Sequence, residues 1–192
     1  MGREFELKYR ATAEKQAAIR AKFGAFRQIA METTYFDTPD GRLSARKMTL
    51  RLRKENDTTV CTLKTPLPDG SRGEWECEAD DIAIGIREVV RLGAPAELLA
   101  LAGEGLIVAC GARFTRLAAE IPTADGGAEL ALDSGVLLGG GREMPLCEVE
   151  IELKTGSDTA AQALAYAIAA EFGLTEEPRS KFRRASSLAK GE

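Results

Sequence analysis

The stretch Cys147-Glu148-Val149-Glu150-Ile151-Glu152-Leu153-Lys154 alternates apolar and charged residues without a break. A period of two is the signature of a β-strand, because successive side chains point to opposite faces. Cys147, Val149, Ile151 and Leu153 share one face; Glu148, Glu150, Glu152 and Lys154 share the other. The same pattern runs from Arg3 to Arg10, with Glu4, Glu6 and Lys8 opposite Phe5, Leu7 and Tyr9. It returns in Met48 to Lys54, where Arg51 and Arg53 oppose Leu50 and Leu52, and in Thr59 to Thr65, where Thr62 and Lys64 oppose Cys61 and Leu63. In Ser71 to Ala79, Arg72, Glu74, Glu76 and Glu78 oppose Trp75 and Cys77.

Further strands are expected over Glu32 to Thr38, Phe114 to Ile121 (Arg116 and Glu120 on one face) and Ala128 to Asp133 (Glu129 and Asp133 opposite Leu130 and Leu132). Turns are written as Pro39-Asp40-Gly41, Asn56-Asp57, Pro68-Asp69-Gly70, Asp125-Gly126-Gly127 and Gly139-Gly140-Gly141. Residues 11–23 read as a helix capped by Gly24, and Ser157 opens an Ala-rich helix that runs to Phe172 and stops at Gly173. Asp80-Asp81 precedes a short helix, and Pro95 suits a helix first turn. The tail carries a basic cluster, Arg179, Lys181, Arg183 and Arg184. The total is eight strands and three helical segments, an α+β chain whose antiparallel sheet can close into a barrel with helices packed outside.

At 192 residues the chain is expected to form a single domain, residues 1–192, with a core that needs neither disulfide nor structural metal. A net charge of −4 argues against a general nucleic-acid or anionic-membrane binder. Histidine is absent, which excludes Ser-His-Asp triads, Cys-His dyads and HExxH zinc sites. Cys61, Cys77, Cys110 and Cys147 show no metal-knuckle spacing and read as buried or strand-face thiols in a reducing compartment. Met1-Gly2-Arg3-Glu4 leads straight into charged sequence, Glu6 stands where a myristoylation signal wants Ser or Thr, and no apolar run approaches the ~18 residues that span a bilayer. A cytoplasmic protein is expected.

One reading of these strands is a sheet with one face in water. The charges, however, are segregated by sign. Glu4-x-Glu6 and Glu148-x-Glu150-x-Glu152 stack carboxylates, while Arg51-x-Arg53 and Lys64 stack bases. Like charges on neighbouring strand positions repel, so solvated faces usually mix signs. Blocks of acid can hold a hard divalent cation through oxygen, and blocks of base can hold phosphate. If the helices cover the apolar faces, the charged faces point into the barrel. Such an interior is unfavourable without ions and a ligand to fill it.

The chain resembles the CYTH superfamily, the triphosphate tunnel metalloenzymes. Glu4-Phe5-Glu6-Leu7-Lys8 matches its E-x-E-x-K signature. The match continues in order through Tyr35-Phe36-Asp37-Thr38, Leu50-Arg51-Leu52-Arg53, Thr62-Leu63-Lys64, Arg72-Gly73-Glu74, Leu132-Asp133, Cys147-Glu148-Val149-Glu150-Ile151-Glu152 and Ser180-Lys181. It is most similar to the bacterial inorganic triphosphatase branch.

The resemblance implies an eight-stranded tunnel open at both ends and hydrolysis of a linear triphosphate, inorganic or organic, with Mg²⁺ or Mn²⁺. It assigns Glu4 and Glu6 to the catalytic metal and Asp133, Glu148 and Glu150 to the acidic side and a second metal position. Glu74 and Glu76 are further acidic liners, grouped with the metal ligands. Lys8, Arg51, Arg53, Lys64, Arg116, Lys181 and Arg184 would bind triphosphate, with Lys8 also stabilising the transferred oxygens. Arg72, Glu78, Glu152 and Lys154 are expected as solvated charges near the barrel ends, and Tyr35, Phe36 and Trp75 as packing residues. Class IV adenylyl cyclase, thiamine triphosphatase and a non-catalytic polyphosphate- or nucleotide-binding module are the alternatives. The oligomeric state is left open, with a homodimer among its options; neither nucleic acid nor membrane is an expected partner.

Overall fold

A computed structural model describes residues 2–3, 5–67 and 72–191. Glu4 and the Pro68-Asp69-Gly70 turn lie outside the described residues. The strands are β1 (Gly2–Arg3), β2 (Glu6–Arg10), β3 (Arg27–Asp37), β4 (Thr49–Glu55), β5 (Thr58–Pro66), β6 (Arg72–Glu78), β7 (Ile107–Pro122), β8 (Gly127–Gly139), β9 (Arg142–Thr155) and β10 (Thr175–Glu176). The helices are α1 (Ala13–Phe23), α2 (Arg42–Ala45), α3 (Ile82–Arg91), α4 (Glu97–Gly103), α5 (Asp158–Phe172) and α6 (Lys181–Lys190). Among the described residues no helix is long and apolar enough to cross a membrane.

All strand pairs are antiparallel, in the order β1-β6-β5-β4-β3-β7-β8-β9-β2-β10. The N-terminal segment makes this row return on itself. Its first part pairs with β6 (Gly2 opposite Glu74) and its second with β9 (Lys8 opposite Glu150). One short segment thus ties both edges of the sheet into a barrel-like wall, which leaves few exposed strand edges.

The alternation dictates what faces where. On the outside, Leu50, Leu63, Trp75, Ile86, Val89 and Leu98 form one core under α3 and α4, and Ile19, Leu130, Leu132, Val149, Ile151 and Ile168 form another under α1 and α5. The helix ends follow local chemistry. Asp81 accepts from the amides of Ala83 and Ile84 to start α3. Ser157 caps α5, and Gly173, with φ of 59°, ends it in the left-handed conformation.

The structure departs from the sequence expectations in four places. β3 begins at Arg27, and β7 and β8 run to 16 and 13 residues, longer than the local alternation suggested. The strand expected from Arg3 to Arg10 is interrupted, and Phe5 joins Glu6 on the cavity side instead of following Leu7 outward. The tail, for which no element was expected, carries its basic cluster into the helix α6. Finally, α6 does not pack outside. It covers the inner face of the wall, where Phe182 and Ala185 pack with Tyr35, Phe114, Leu137 and Leu146. Gly139 permits this approach, since a Cβ there would lie 2.4 Å from the Ala185 carbonyl oxygen. The passage implied to be open at both ends is therefore filled at one end by α6.

Candidate active site

Inside the wall is a cavity of about 440 Å³. The antiparallel register stacks its basic side. Arg51 lies opposite Thr62, which lies opposite Glu76; Thr49 lies opposite Lys64, which lies opposite Glu74. Lys64 Nζ is 3.1 Å from Glu74, and Arg51 Nη2 is 3.6 Å from Glu76. The Thr62 hydroxyl donates to Glu76 at 2.8 Å. Burial pushes the Glu76 carboxyl up, but Arg51, the Thr62 hydroxyl, Arg53 and Lys64 together hold it below its ordinary value. Arg53 donates to Glu55 at 2.6 Å. Its pKa is pushed down by burial and by the neighbouring Arg51, with Arg116 adding to the effect against Glu55. A guanidinium remains charged under such a shift, so Arg53 stays a cation, paired with Glu55 but crowded by Arg51 and Arg116, and an incoming anion relieves that crowding.

Opposite stands the acidic side, on β2, β8 and β9. Glu6, Glu129, Glu150 and Glu152 line the cavity there, with Lys8 between them. Lys8 Nζ is 2.7 Å from Glu6 and 3.9 Å from Glu150. Burial alone would lower the Lys8 pKa, but Glu150 and Glu6 outweigh it and raise it. Just behind, Asp133 and Glu148 are fully buried, both at 0% exposure. Asp133, Glu148 and Glu150 each offer one carboxylate oxygen, all within 4.8 Å of one another, so a single cation can touch all three.

This trio is densely paired. Arg116 donates from Nε and Nη2 to the two Asp133 oxygens, each at 2.8 Å, and from Nη2 to Glu150 at 2.5 Å. Lys181 Nζ lies 2.8 Å from Asp133 and 2.8 Å from Glu150 and is ion-paired with Glu148. Arg184 is ion-paired with Glu148. Burial nonetheless dominates at Glu148 and raises its pKa, whereas at Glu150 the Lys181, Arg116 and Lys8 charges win over burial and hold the carboxyl well below its ordinary value.

The trio is also braced from outside. The Gln16 amide of α1 donates to the carbonyls of Asp133 at 3.1 Å and Glu148 at 2.9 Å and accepts from the Ser134 hydroxyl at 2.5 Å. These bonds fix the backbone from which both carboxylates project.

Of the residues singled out from the sequence, Glu6, Lys8, Arg51, Arg53, Lys64, Glu74, Glu76, Arg116, Glu150 and Lys181 all line the one cavity. Asp133 and Glu148 lie behind it, and Arg184 is buried against Glu148 outside the lining. Glu4 is outside the described residues. Arg72, Glu152 and Lys154, expected as solvated barrel-end charges, also border the cavity, with Lys154 exposed; Glu78 does not border it. Arg27, Glu55 and Glu129 were missed. Strand parity could have found two of them, since Glu55 follows Arg51 and Arg53 and Glu129 precedes Asp133 at even spacing. Arg27 falls between the first helix and the strand expected from Glu32, a stretch with no clear alternation. Tyr35 packs on Phe182, ring centroids 5.2 Å apart, while Trp75 is buried in the outer core.

Carboxylate oxygens on one side of a barrel-like interior face cations on the other, an arrangement whose donors suit a hard cation and a polyanion. Residues 2–186 match the CYTH domain family model, and the chain belongs to that family. It is 30% identical over 133 residues to the inorganic triphosphatase of Haemophilus influenzae. That alignment takes in 67% of this chain but 37% of the relative, so the chain spans little more than a third of the length of the relative it matches. Two solved structures share the fold. An adenylate cyclase candidate of Bacillus halodurans is 22% identical, with a TM-score of 0.66, over 96% of this chain and 98% of the other. An adenylyl cyclase candidate from Hippeastrum, described with a dominant triphosphatase activity, is 21% identical, with a TM-score of 0.66, over 98% and 96% of the two chains.

Proposed function

We propose that this chain hydrolyses inorganic triphosphate to pyrophosphate and phosphate, with Mg²⁺ or Mn²⁺. The observation that carries the reading is the pair of facing walls: Arg51, Arg53 and Lys64 on β4 and β5, Glu6, Glu129 and Glu150 on β2, β8 and β9, in one cavity. Of the apolar residues that line the cavity, Ile29, Met31, Tyr35 and Phe114 are buried and packed with α6, while Phe5 and Phe182 are half-buried. The rest of the lining is charged or hydroxyl-bearing, which suits a bare polyanion such as inorganic triphosphate.

The donor set suits the metal. The acidic side presents carboxylate oxygen, and neither histidine nor any of the four cysteines lines the cavity. Glu6, with Glu4 by family resemblance, would hold the ion, which when bound neutralises charge on the phosphate oxygens. The protein side of the chemistry is positioning. Arg51, Arg53 and Lys64 bind the anionic chain and fix its direction across the cavity. Lys8, between Glu6 and Glu150, stabilises the oxygens of the transferred phosphoryl group. Water attacks the terminal phosphorus, the P–O bond to pyrophosphate breaks, and a carboxylate takes the water proton, because the chain has no histidine to do so. Arg116 and Lys181 keep the acidic trio in place.

Phosphorus-31 NMR of a reaction started with inorganic triphosphate tests the proposal. Equal accumulation of pyrophosphate and phosphate supports it. Intact triphosphate in the presence of either metal, with tight binding of the anion, would mean a binding module instead.

A further inference from the structure

The inner trio already holds a cation. Lys181 Nζ stands among Asp133, Glu148 and Glu150, 2.8 Å from the first and 2.8 Å from the last, and paired with Glu148 between them. A divalent ion sharing these oxygens would sit about 2.0–2.6 Å from each, on the ground that Nζ occupies. Ion and ammonium are mutually exclusive there. Three carboxylates here already face the Arg116, Lys181 and Arg184 cations, with Lys8 3.9 Å from Glu150 as well.

Lys181 is placed by construction. The Ser180 hydroxyl accepts from the Arg183 amide and starts α6 one residue before Lys181. The segment ahead of it is pinned by buried Glu177, whose amide donates to the Lys8 carbonyl at 2.8 Å and whose carboxylate accepts from Arg10 and Arg179. Behind it, Ala185 packs against the glycine gap at Gly139. A side chain held from both ends of its helix turn is pre-organised and does not need an ion to recruit it.

We propose that Lys181 is the resident cation of the trio, standing where a second divalent ion would otherwise bind. The chain then takes one divalent ion per site, on the Glu6 side of the cavity. This rests on the metal-dependent reading above but fails separately from it.

The test is a count of bound Mn²⁺ by electron paramagnetic resonance, with Mn²⁺ alone as the probe, on the native chain and on Lys181→Met. One tight ion on the native chain and two on the variant are expected. Two ions on the native chain, or no gain in the variant, overturn the proposal. Lys181→Gln, of similar length and uncharged, serves the same comparison if the Met variant does not fold, and the native count decides the matter by itself. Failure of the underlying reading shows differently: neither chain binds an ion and triphosphate is not hydrolysed.

Discussion

Arg116 and Asp133 face each other across the β7–β8 ladder, and the guanidinium holds the carboxylate by two hydrogen bonds of 2.8 Å each. The fork geometry is specific to arginine. Asp133 is at 0% exposure, so removing Arg116 leaves that carboxylate buried with Lys181 as its remaining cation, and Glu150 loses the same partner. Arg116→Met is expected to destabilise the fold by about 3–5 kcal/mol, read as a fall in the urea midpoint at constant m-value. Arg116→Met with Asp133→Asn should recover part of this loss. A double variant no better than the single would show that the two do not act as a pair.

Arg53 is paired with Glu55 yet crowded by Arg51 and Arg116, and a substrate anion relieves that crowding. Arg53→Ala should raise the KM or Kd for inorganic triphosphate by about ten- to a hundredfold, the range of a lost charged hydrogen bond of roughly 1.5–3 kcal/mol. The fold should be spared, because Arg53 sits at the cavity and not in either outer core. Saturation behaviour unchanged from the native chain would remove Arg53 from the site.

Glu177 ties the segment before α6 to β2. Its carboxyl is pulled down to about 2, chiefly by the hydrogen bond from Arg179, against burial. A carboxyl depressed on folding stabilises the native state above its unfolded value of 4.5, and that contribution is lost as pH falls from there towards 2. Glu177→Gln should therefore lower the melting temperature at pH 7, with the gap to the native chain closing on acidification through that window. A gap independent of pH would mean that the carboxylate charge is not the source.

Gly85 lets α3 lie against β5. A Cβ there would fall 2.4 Å from Cys61 Cβ, an atom fixed to a strand backbone. Alanine improves helix propensity by about 1 kcal/mol, but overpacking costs about 1–3 kcal/mol or more, so Gly85→Ala should destabilise. The contact lies on the outer face, away from the cavity, and turnover per folded molecule should stay constant. A raised melting temperature would contradict the packing described for this helix.

Much of this arrangement is legible in the chain itself. Period-two alternation marks Leu50, Leu52, Leu63, Val149 and Ile151 as outward and Arg51, Arg53, Lys64 and Glu150 as inward, because each strand carries one clean apolar face. What the alternation lacks is range. The pairing of Arg27 with Ala118, or of Gly2 with Glu74, joins residues far apart in sequence, and no local pattern announces it. Phe5 defeats the alternation because the N-terminal segment changes partner there, from β6 to β9. α6 was obscured by its own charges: Lys181 and Arg184, three apart and on one helical face, read as a basic cluster for triphosphate, yet they are buried against Glu148. Ser180 at the cap position, with Phe182 and Ala185 three apart, was the available signal for a packed helix.

The most direct test of the account is phosphate release from inorganic triphosphate with Mg²⁺, with Mn²⁺ and with chelator, run beside ATP and thiamine triphosphate. The account predicts release from inorganic triphosphate that needs either metal, vanishes with chelator and is much slower from the two organic substrates. Equal release with chelator present, or a cyclic nucleotide and pyrophosphate formed from ATP while inorganic triphosphate stays intact, would contradict it.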